Sequence, residues 1–133
     1  MTLYMLDTNV VSALMRDPRG NIAKRIAEVG PDAIAVSIIV AAELRYGCSK
    51  KGSATLTDRA ETILGSVDII AFDRPADVEY GDIRAALETN GTPIGPNDLL
   101  IAAHARSLGA VLVTANTGKF ERVPDLQVEN WVS

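Results

Sequence analysis

The segment LYMLDTN (residues 3–9) is a short apolar run that stops at an aspartate and continues into a helical pattern. A second apolar run, AVLVTAN (residues 110–116), stops in the same way at an asparagine. Short apolar runs that alternate with helical patterns are typical of buried strands in a parallel sheet. The two segments therefore predict an α/β fold in which Asp7 and Asn116 each follow the end of a strand.

Strand and helix patterns alternate outward from these segments along the whole chain. Enrichment in β-branched and apolar residues predicts strands at residues 3–6, 33–36, 67–72, 110–114 and 126–131. Helical periodicity predicts helices at residues 8–15, 20–29, 38–50, 54–66, 74–90 and 97–108. This alternation gives βαβ units and a mostly parallel sheet. The 133 residues, 47% of them apolar, suit one domain that covers residues 1–133.

Four polar side chains lie where apolar stretches break, namely Asp7, Glu43, Asp98 and Asn116. A parallel sheet would bring them to its carboxyl edge, where such folds place their ligands. Three carboxylates crowded there would repel one another by roughly 4 kcal/mol per close pair at an effective dielectric near 20. A bound divalent cation is the simplest remedy, and acidic oxygen ligands favour Mg²⁺ or Mn²⁺.

Each of these four residues also has a structural interpretation. Asp7 suits the N-cap of the following helix, Asp98 suits the positive end of a helix that begins at Pro96, and Asn116 suits a turn. Glu43 has a weaker structural explanation, because small or apolar residues surround it and a buried carboxylate without a partner is costly. Glu43 thus favours a functional interpretation most strongly.

The single histidine and the single cysteine are both expected to be structural. His104 lies six positions beyond Asp98 on the same helix and so faces away from it. Cys48 has no disulfide partner in the chain, which fits a reducing cytoplasm and a small buried thiol. The lack of further histidines argues against a nuclease with a histidine acid/base pair and against a His-rich zinc site.

Charge and hydropathy limit the partners of the chain. The formal net charge of −4 argues weakly against nucleic acid, but the acids and bases nearly balance if metal neutralises three carboxylates. Arg45, Lys50 and Lys51 form either a rim that contacts phosphates or a solvated helix end. The apolar runs are too short to span a bilayer and no signal peptide is evident, so we expect a cytoplasmic protein without a membrane partner.

Four motifs in order carry a resemblance to a known family: MLDTN, AAELRYG, GTPIGPNDLLIAAHA and VTANTGKFERVPDLQVENW. Together they resemble the PIN-domain ribonucleases and, within them, the VapC toxins of bacterial toxin–antitoxin pairs. The resemblance covers residues 4–131. By this resemblance, Asp7, Glu43 and Asp98 match the family's metal-binding and catalytic carboxylates. Asn116 falls at the fourth position, which is aspartate in many PIN domains and asparagine in others.

The resemblance implies a three-layer α/β/α sandwich and a Mg²⁺- or Mn²⁺-dependent endoribonuclease that hydrolyses RNA phosphodiester bonds. It also implies a homodimer within a larger assembly with a small VapB-type antitoxin, which blocks the site and alone contacts operator DNA. Asp7 and Asp98 would ligate one ion, while Glu43 would bind the ion or orient the attacking water. Asn116 would add a neutral ligand or hydrogen bond. The side chains expected to support the carboxylates, or else to act as caps and turn residues, are Thr8, Asn9, Thr114 and Thr117.

Three other classes of protein fit the sequence less well. A phosphatase of the haloacid-dehalogenase type would need a second aspartate where Asn9 stands. A response-regulator-like domain could use Asp73, but it would need an acidic pair after the first strand, where Asp7 stands without a second acid. A non-catalytic PIN-like module that acts in antitoxin-dependent transcriptional regulation is the remaining alternative. The complete set of acids argues against it, because a purely structural role has no use for three converging charges.

Overall fold

The structure, a computed structural model, describes residues 1–132 and contains five short strands separated by helices. The strands are β1 (Tyr4–Leu6), β2 (Ile34–Ser37), β3 (Asp68–Ile70), β4 (Val111–Val113) and β5 (Gln127–Glu129). The α-helices are α1 (Thr8–Arg16), α2 (Asn21–Val29), α3 (Ile38–Lys51), α4 (Ala54–Ser66), α5 (Ala76–Thr89), α6 (Pro96–Ser107) and α7 (Thr117–Phe120). A short 3₁₀ turn at Pro31–Ala33 precedes β2.

All five strands pair in parallel in one sheet, in the order β3-β2-β1-β4-β5. Helices flank this sheet, which confirms the predicted α/β/α sandwich with its parallel sheet. The central strand β1 pairs with β2 on one side and β4 on the other, and Leu6 lies opposite Val113. This register aligns the carboxyl end of β1 with that of β4, so the residues that follow them are neighbours.

The hydrophobic core is formed by the central strands and by the helices that cover both faces of the sheet. All the residues of β2 and β4 are buried, as parallel strands covered on both faces require. Large side chains such as Ile83, Leu87 and Phe120 come from the helices and complete the core. Within residues 1–132, no helix is long and apolar enough to cross a membrane.

Two strands pass into helices through a capping residue at the carboxyl edge. Asp7 follows β1, and its side chain accepts a hydrogen bond from the first N–H of α1. Ser37 ends β2, and its hydroxyl accepts from the Ile39 N–H of α3 at 3.1 Å. These caps satisfy backbone donors that a helix leaves unpaired. They also fix the starts of α1 and α3 beside each other at this edge.

Candidate active site at the carboxyl edge of the sheet

The chain changes its direction of travel across the sheet between the two sides of β1. From β1 it proceeds to β2 and β3, and it then returns to the other side of β1 to form β4 and β5. Such a switch point leaves a crevice outside the carboxyl ends of the two adjacent strands, which here are β1 and β4. The backbone N–H of Asp7 donates to the Val113 carbonyl at 2.8 Å. Asp7 is therefore fixed at the switch point.

The Asp7 carboxylate is buried and has a hydrogen-bond donor on each oxygen. Its Oδ1 accepts from the Thr8 backbone N–H at 2.8 Å, which is the predicted N-cap contact. Its Oδ2 accepts from the Thr114 hydroxyl at 2.8 Å and from the Asn9 amide at 3.3 Å. Because Thr114 follows β4, residues from both sides of the crevice hold one carboxylate. The orientation of Asp7 is thus set by the fold.

The other two predicted acids act electrostatically on Asp7 at this edge. Burial raises the pKa of Asp7 above its ordinary value of 3.8. The hydrogen bonds from Thr114 and Thr8 oppose that effect, while the negative charges of Asp98 and Glu43 raise the pKa further. A cation placed among these groups would favour the ionised form of Asp7.

Glu43 lies in the second turn of α3 and is half-buried. Its Oε1 accepts a hydrogen bond of 2.6 Å from the Thr8 hydroxyl, and its Oε2 accepts one of 3.2 Å from the Asn97 amide. Thr8 begins α1, and Asn97 immediately precedes Asp98 in α6. Glu43 therefore has partners despite its apolar sequence neighbours, and its carboxylate links the helices that carry the other two acids.

Asp98 lies in the first turn of α6, and Pro96 occupies the first position of that helix as predicted. Asp98 also has a partner that sequence reasoning did not identify. Its Oδ2 accepts from the Lys119 ammonium at 2.8 Å, and both side chains are partly buried. A positive charge from α7 therefore already lies against one of the predicted metal ligands.

Asn116 is exposed and occupies the N-cap position of α7. Its backbone N–H donates to the Thr114 hydroxyl at 3.0 Å. Since that hydroxyl in turn donates to Asp7, Asn116 is connected to the buried carboxylate through Thr114. The structure thus places Asn116 at the predicted edge, with its backbone as the part that contacts the Asp7 network.

Comparison with known proteins identifies the family of this chain. The model of the PIN domain family matches residues 4–126. The chain belongs to the PIN domain family. It is 41% identical to Ribonuclease VapC2 of Rickettsia felis over 131 residues, a match that covers 97% of this chain and 98% of that protein. This identity places it, more narrowly, among the VapC ribonucleases.

Two further relatives support this assignment. The tRNA(fMet)-specific endonuclease VapC of Shigella flexneri is 34% identical over 135 residues, covering 98% of this chain and 99% of that protein. The crystal structure of VapBC2 from Rickettsia felis bound to a DNA fragment from their promoter contains a chain of the same fold. The TM-score is 0.90 at 39% identity, with 98% of this chain and 99% of that chain covered.

The chemistry of the donor set in this PIN domain fits a hard divalent cation, because carboxylate and amide oxygens are the groups at the edge. The carboxylates are not packed into a ready-made cage. Within residues 1–132, no group of three or more acidic, histidine or cysteine side chains is arranged to hold a metal ion. Asp98 is paired with Lys119, and Glu43 is bonded to Thr8 and Asn97.

The histidine and the cysteine are both buried, which agrees with the structural roles predicted for them. His104 is 2% exposed, and its Nδ1 lies 2.8 Å from the Ser37 hydroxyl. Burial lowers the pKa of His104, although a backbone hydrogen bond with Ala71 opposes the effect. Cys48 is a free, buried thiol.

The basic residues that follow Glu43 do not form one free cationic rim. The Arg45 guanidinium donates from two nitrogens to the Glu61 carboxylate, each at 3.0 Å. The Lys50 ammonium lies 6.0 Å from the centre of the Tyr46 ring. Lys51 lines a groove that also contains Glu43. Arg45 therefore fits the solvated-surface interpretation better, whereas Lys51 shares a groove with Glu43.

Proposed function

We propose that this PIN domain is a metal-dependent endoribonuclease that acts as the toxin of a toxin–antitoxin pair. The observation that carries the proposal is the buried carboxylate of Asp7, fixed at the switch point between β1 and β4, with Glu43 and Asp98 near enough to act on its charge. The names of its relatives, which are ribonucleases and endonucleases, support RNA as the substrate. The donor chemistry supports Mg²⁺ or Mn²⁺ as the cofactor.

Asp7, Glu43 and Asp98 would hold the cation, and Asn116 would contribute a neutral amide at the rim. When bound, a divalent cation supplies positive charge that polarises the phosphoryl oxygens and lowers the pKa of the attacking water. The burial of Asp7 suits this role, because a desolvated carboxylate interacts more strongly with a cation than an exposed one does.

The remaining work falls to hydrogen bonds that keep the carboxylates in position. Thr114 holds the buried oxygen of Asp7, while Thr8 and Asn97 hold the two oxygens of Glu43. Glu43 retains free lone pairs with which to orient a water molecule for attack on a phosphodiester. Such supporting contacts commonly change metal affinity or activity by 10- to 100-fold when they are removed.

A groove beside the carboxylates offers a place for the antitoxin. It has a volume of about 360 Å³, with Met15, Leu44 and Leu56 among its apolar lining and Glu43 at its polar end. An antitoxin segment with apolar side chains and one cationic group would match both parts of this groove. The R. felis VapBC2 complex on promoter DNA supports a VapB-type antitoxin as the partner that contacts operator DNA. By the same family likeness, we infer that the chain forms a homodimer.

The test is cleavage of total cellular RNA by the purified protein with Mg²⁺, Mn²⁺ or chelator, followed by mapping of the new ends. Asp7→Asn preserves the N-cap oxygen and should remove metal-dependent cleavage while the protein stays folded. Asp82→Asn is the matched control, because Asp82 is an exposed acid on α5. Cleavage that persists in chelator, or that Asp7→Asn leaves intact, would refute the metal mechanism.

A further inference from the structure

The ion pair between Lys119 and Asp98 differs from several others in the molecule. Arg25–Glu28 and Arg84–Glu88 join residues on a single helix, and their side chains are 40% to 61% exposed. The Lys119 and Asp98 side chains are 33% and 26% exposed, and they join α7 to the first turn of α6. Because Asp98 is one of the predicted metal ligands, this pair lies within the predicted site.

The position of Lys119 is fixed by its neighbours in the chain. Phe120, the next residue, is 1% exposed in the hydrophobic core. The carbonyl of Thr117 accepts the Glu121 N–H at 2.8 Å, which closes the short helix α7. The backbone that carries Lys119 is thus anchored, so its ammonium is delivered to the edge where the acids meet. The sequence pattern did not predict a cationic side chain paired with one of these acids.

We propose that Lys119 is a positioning residue that acts as an internal cation, holding Asp98 in the metal-free protein and competing with the divalent cation for its Oδ2 oxygen. This inference rests on the proposed metal-dependent function. The ammonium and a metal ion would both require the oxygen that Lys119 contacts at 2.8 Å. Lys119 therefore sets the metal affinity of the site below the value that the carboxylates alone would give.

The charges explain both halves of this role. Without metal, the positive charge of Lys119 offsets the repulsion that Asp98 exerts on Asp7. When a metal ion approaches, the same charge repels it, and the Lys119 ammonium must leave the Asp98 oxygen before the ion can bind there. A lysine suits the exchange, because its ammonium is compact, well hydrated and carried on a flexible stem. Metal binding is then a replacement of one cation by another.

The test measures Mg²⁺ and Mn²⁺ affinity directly by titration calorimetry at constant ionic strength, with no RNA present. Lys119→Gln should bind metal up to about fivefold more tightly, because loss of a partly exposed ion pair changes an affinity by at most about this factor. Lys119→Arg keeps the charge and should stay close to wild type. Lys24→Gln removes an exposed lysine of α2 and is the control for net charge. Thermal melts in chelator establish that each variant is folded.

Each outcome decides the matter. Tighter binding by Lys119→Gln alone supports the competition. Unchanged affinity in that variant, or an equal gain in Lys24→Gln, overturns it while leaving the metal-dependent function intact. If wild type and all variants fail to bind either metal, both the proposed function and this inference are wrong.

Discussion

Replacement of Thr114 by valine removes the hydroxyl that holds Asp7 and nearly preserves the shape of the side chain. Thr114 is fully buried, and its Oγ1 donates to Asp7 at 2.8 Å and accepts from the Asn116 N–H at 3.0 Å. Hydrogen bonds to charged groups contribute about 1.5–3 kcal/mol. The bond from the Asn116 N–H contributes a further ~0.5–1.5 kcal/mol, so we expect the metal-free variant to be less stable by about 2–4 kcal/mol at neutral pH.

The loss of stability should depend on pH with a definite sign. The folded-state pKa of Asp7 lies above 3.8, and the bond from Thr114 lowers it. Valine therefore raises this pKa further. A carboxyl group whose pKa is raised on folding stabilises the protein fully at pH values below its unfolded-state pKa. This stabilisation is lost as the pH rises through its folded-state pKa. The gap between wild type and Thr114→Val should thus be smallest near about pH 4 and should widen toward neutral pH.

Urea unfolding in chelator, followed across that pH range, measures the gap. Thr62→Val is the matched control, because the exposed Thr62 hydroxyl donates to a carbonyl of its own helix at 2.8 Å. We expect that control to change stability by less than about 0.5 kcal/mol. A Thr114→Val loss below this level, or one that is the same at every pH, would refute the idea that Thr114 holds a charged Asp7.

Two further predictions concern the core and the groove. The pKa of His104 is lower in the folded protein than its ordinary value of 6.5, so the free energy of unfolding should fall as the pH drops from 6.5 toward the folded-state pKa. Thermal melts of His104→Gln should show a shallower decline over this pH range. An equally steep decline would show that other groups cause it. Leu56→Asp should weaken the binding of an antitoxin peptide by more than about tenfold in calorimetry, since it places a charge in the apolar part of the groove. Leu108→Asp, at an exposed leucine elsewhere, should leave the affinity unchanged, and equal effects from both would contradict the proposed groove.

The sequence was sufficient to predict the principal strands and helices because their signals are local. Each predicted strand overlaps an observed one; four of the observed strands are shorter than predicted, and β2 is shifted by one residue toward the C-terminus. Two short elements were missed, the 3₁₀ turn Pro31–Ala33 and the helix α7. Neither is long enough to show an apolar period, since α7 consists of four residues in which Phe120 alone is buried.

The contacts around the carboxylates could be predicted only in part. A parallel sheet brings the ends of its strands to one edge, which is why Asp7 and Asn116 were expected to lie near each other there. The Thr8–Glu43 and Lys119–Asp98 bonds join residues that are 35 and 21 positions apart. Such contacts depend on helix placement and side-chain rotamers. The sequence did hold one indication of Lys119, because this lysine is next to an apolar phenylalanine in the fourth motif. The sequence could not show that the lysine side chain points toward Asp98.

The partners of the three acids explain how the edge can remain folded without a metal ion. Asp7 is held mainly by hydroxyl and backbone donors, Glu43 by a hydroxyl and an amide, and Asp98 by an ammonium. The protein therefore offsets the repulsion piecemeal, with separate donors for each carboxylate. Thr8 serves two acids, but through different groups, its N–H for Asp7 and its hydroxyl for Glu43. Loss of one acid therefore leaves the donors of the others in place. Changes at this site can therefore affect stability and metal binding separately. At Lys119 the two effects have opposite signs, because its ammonium stabilises the metal-free carboxylate and competes with the metal ion for it.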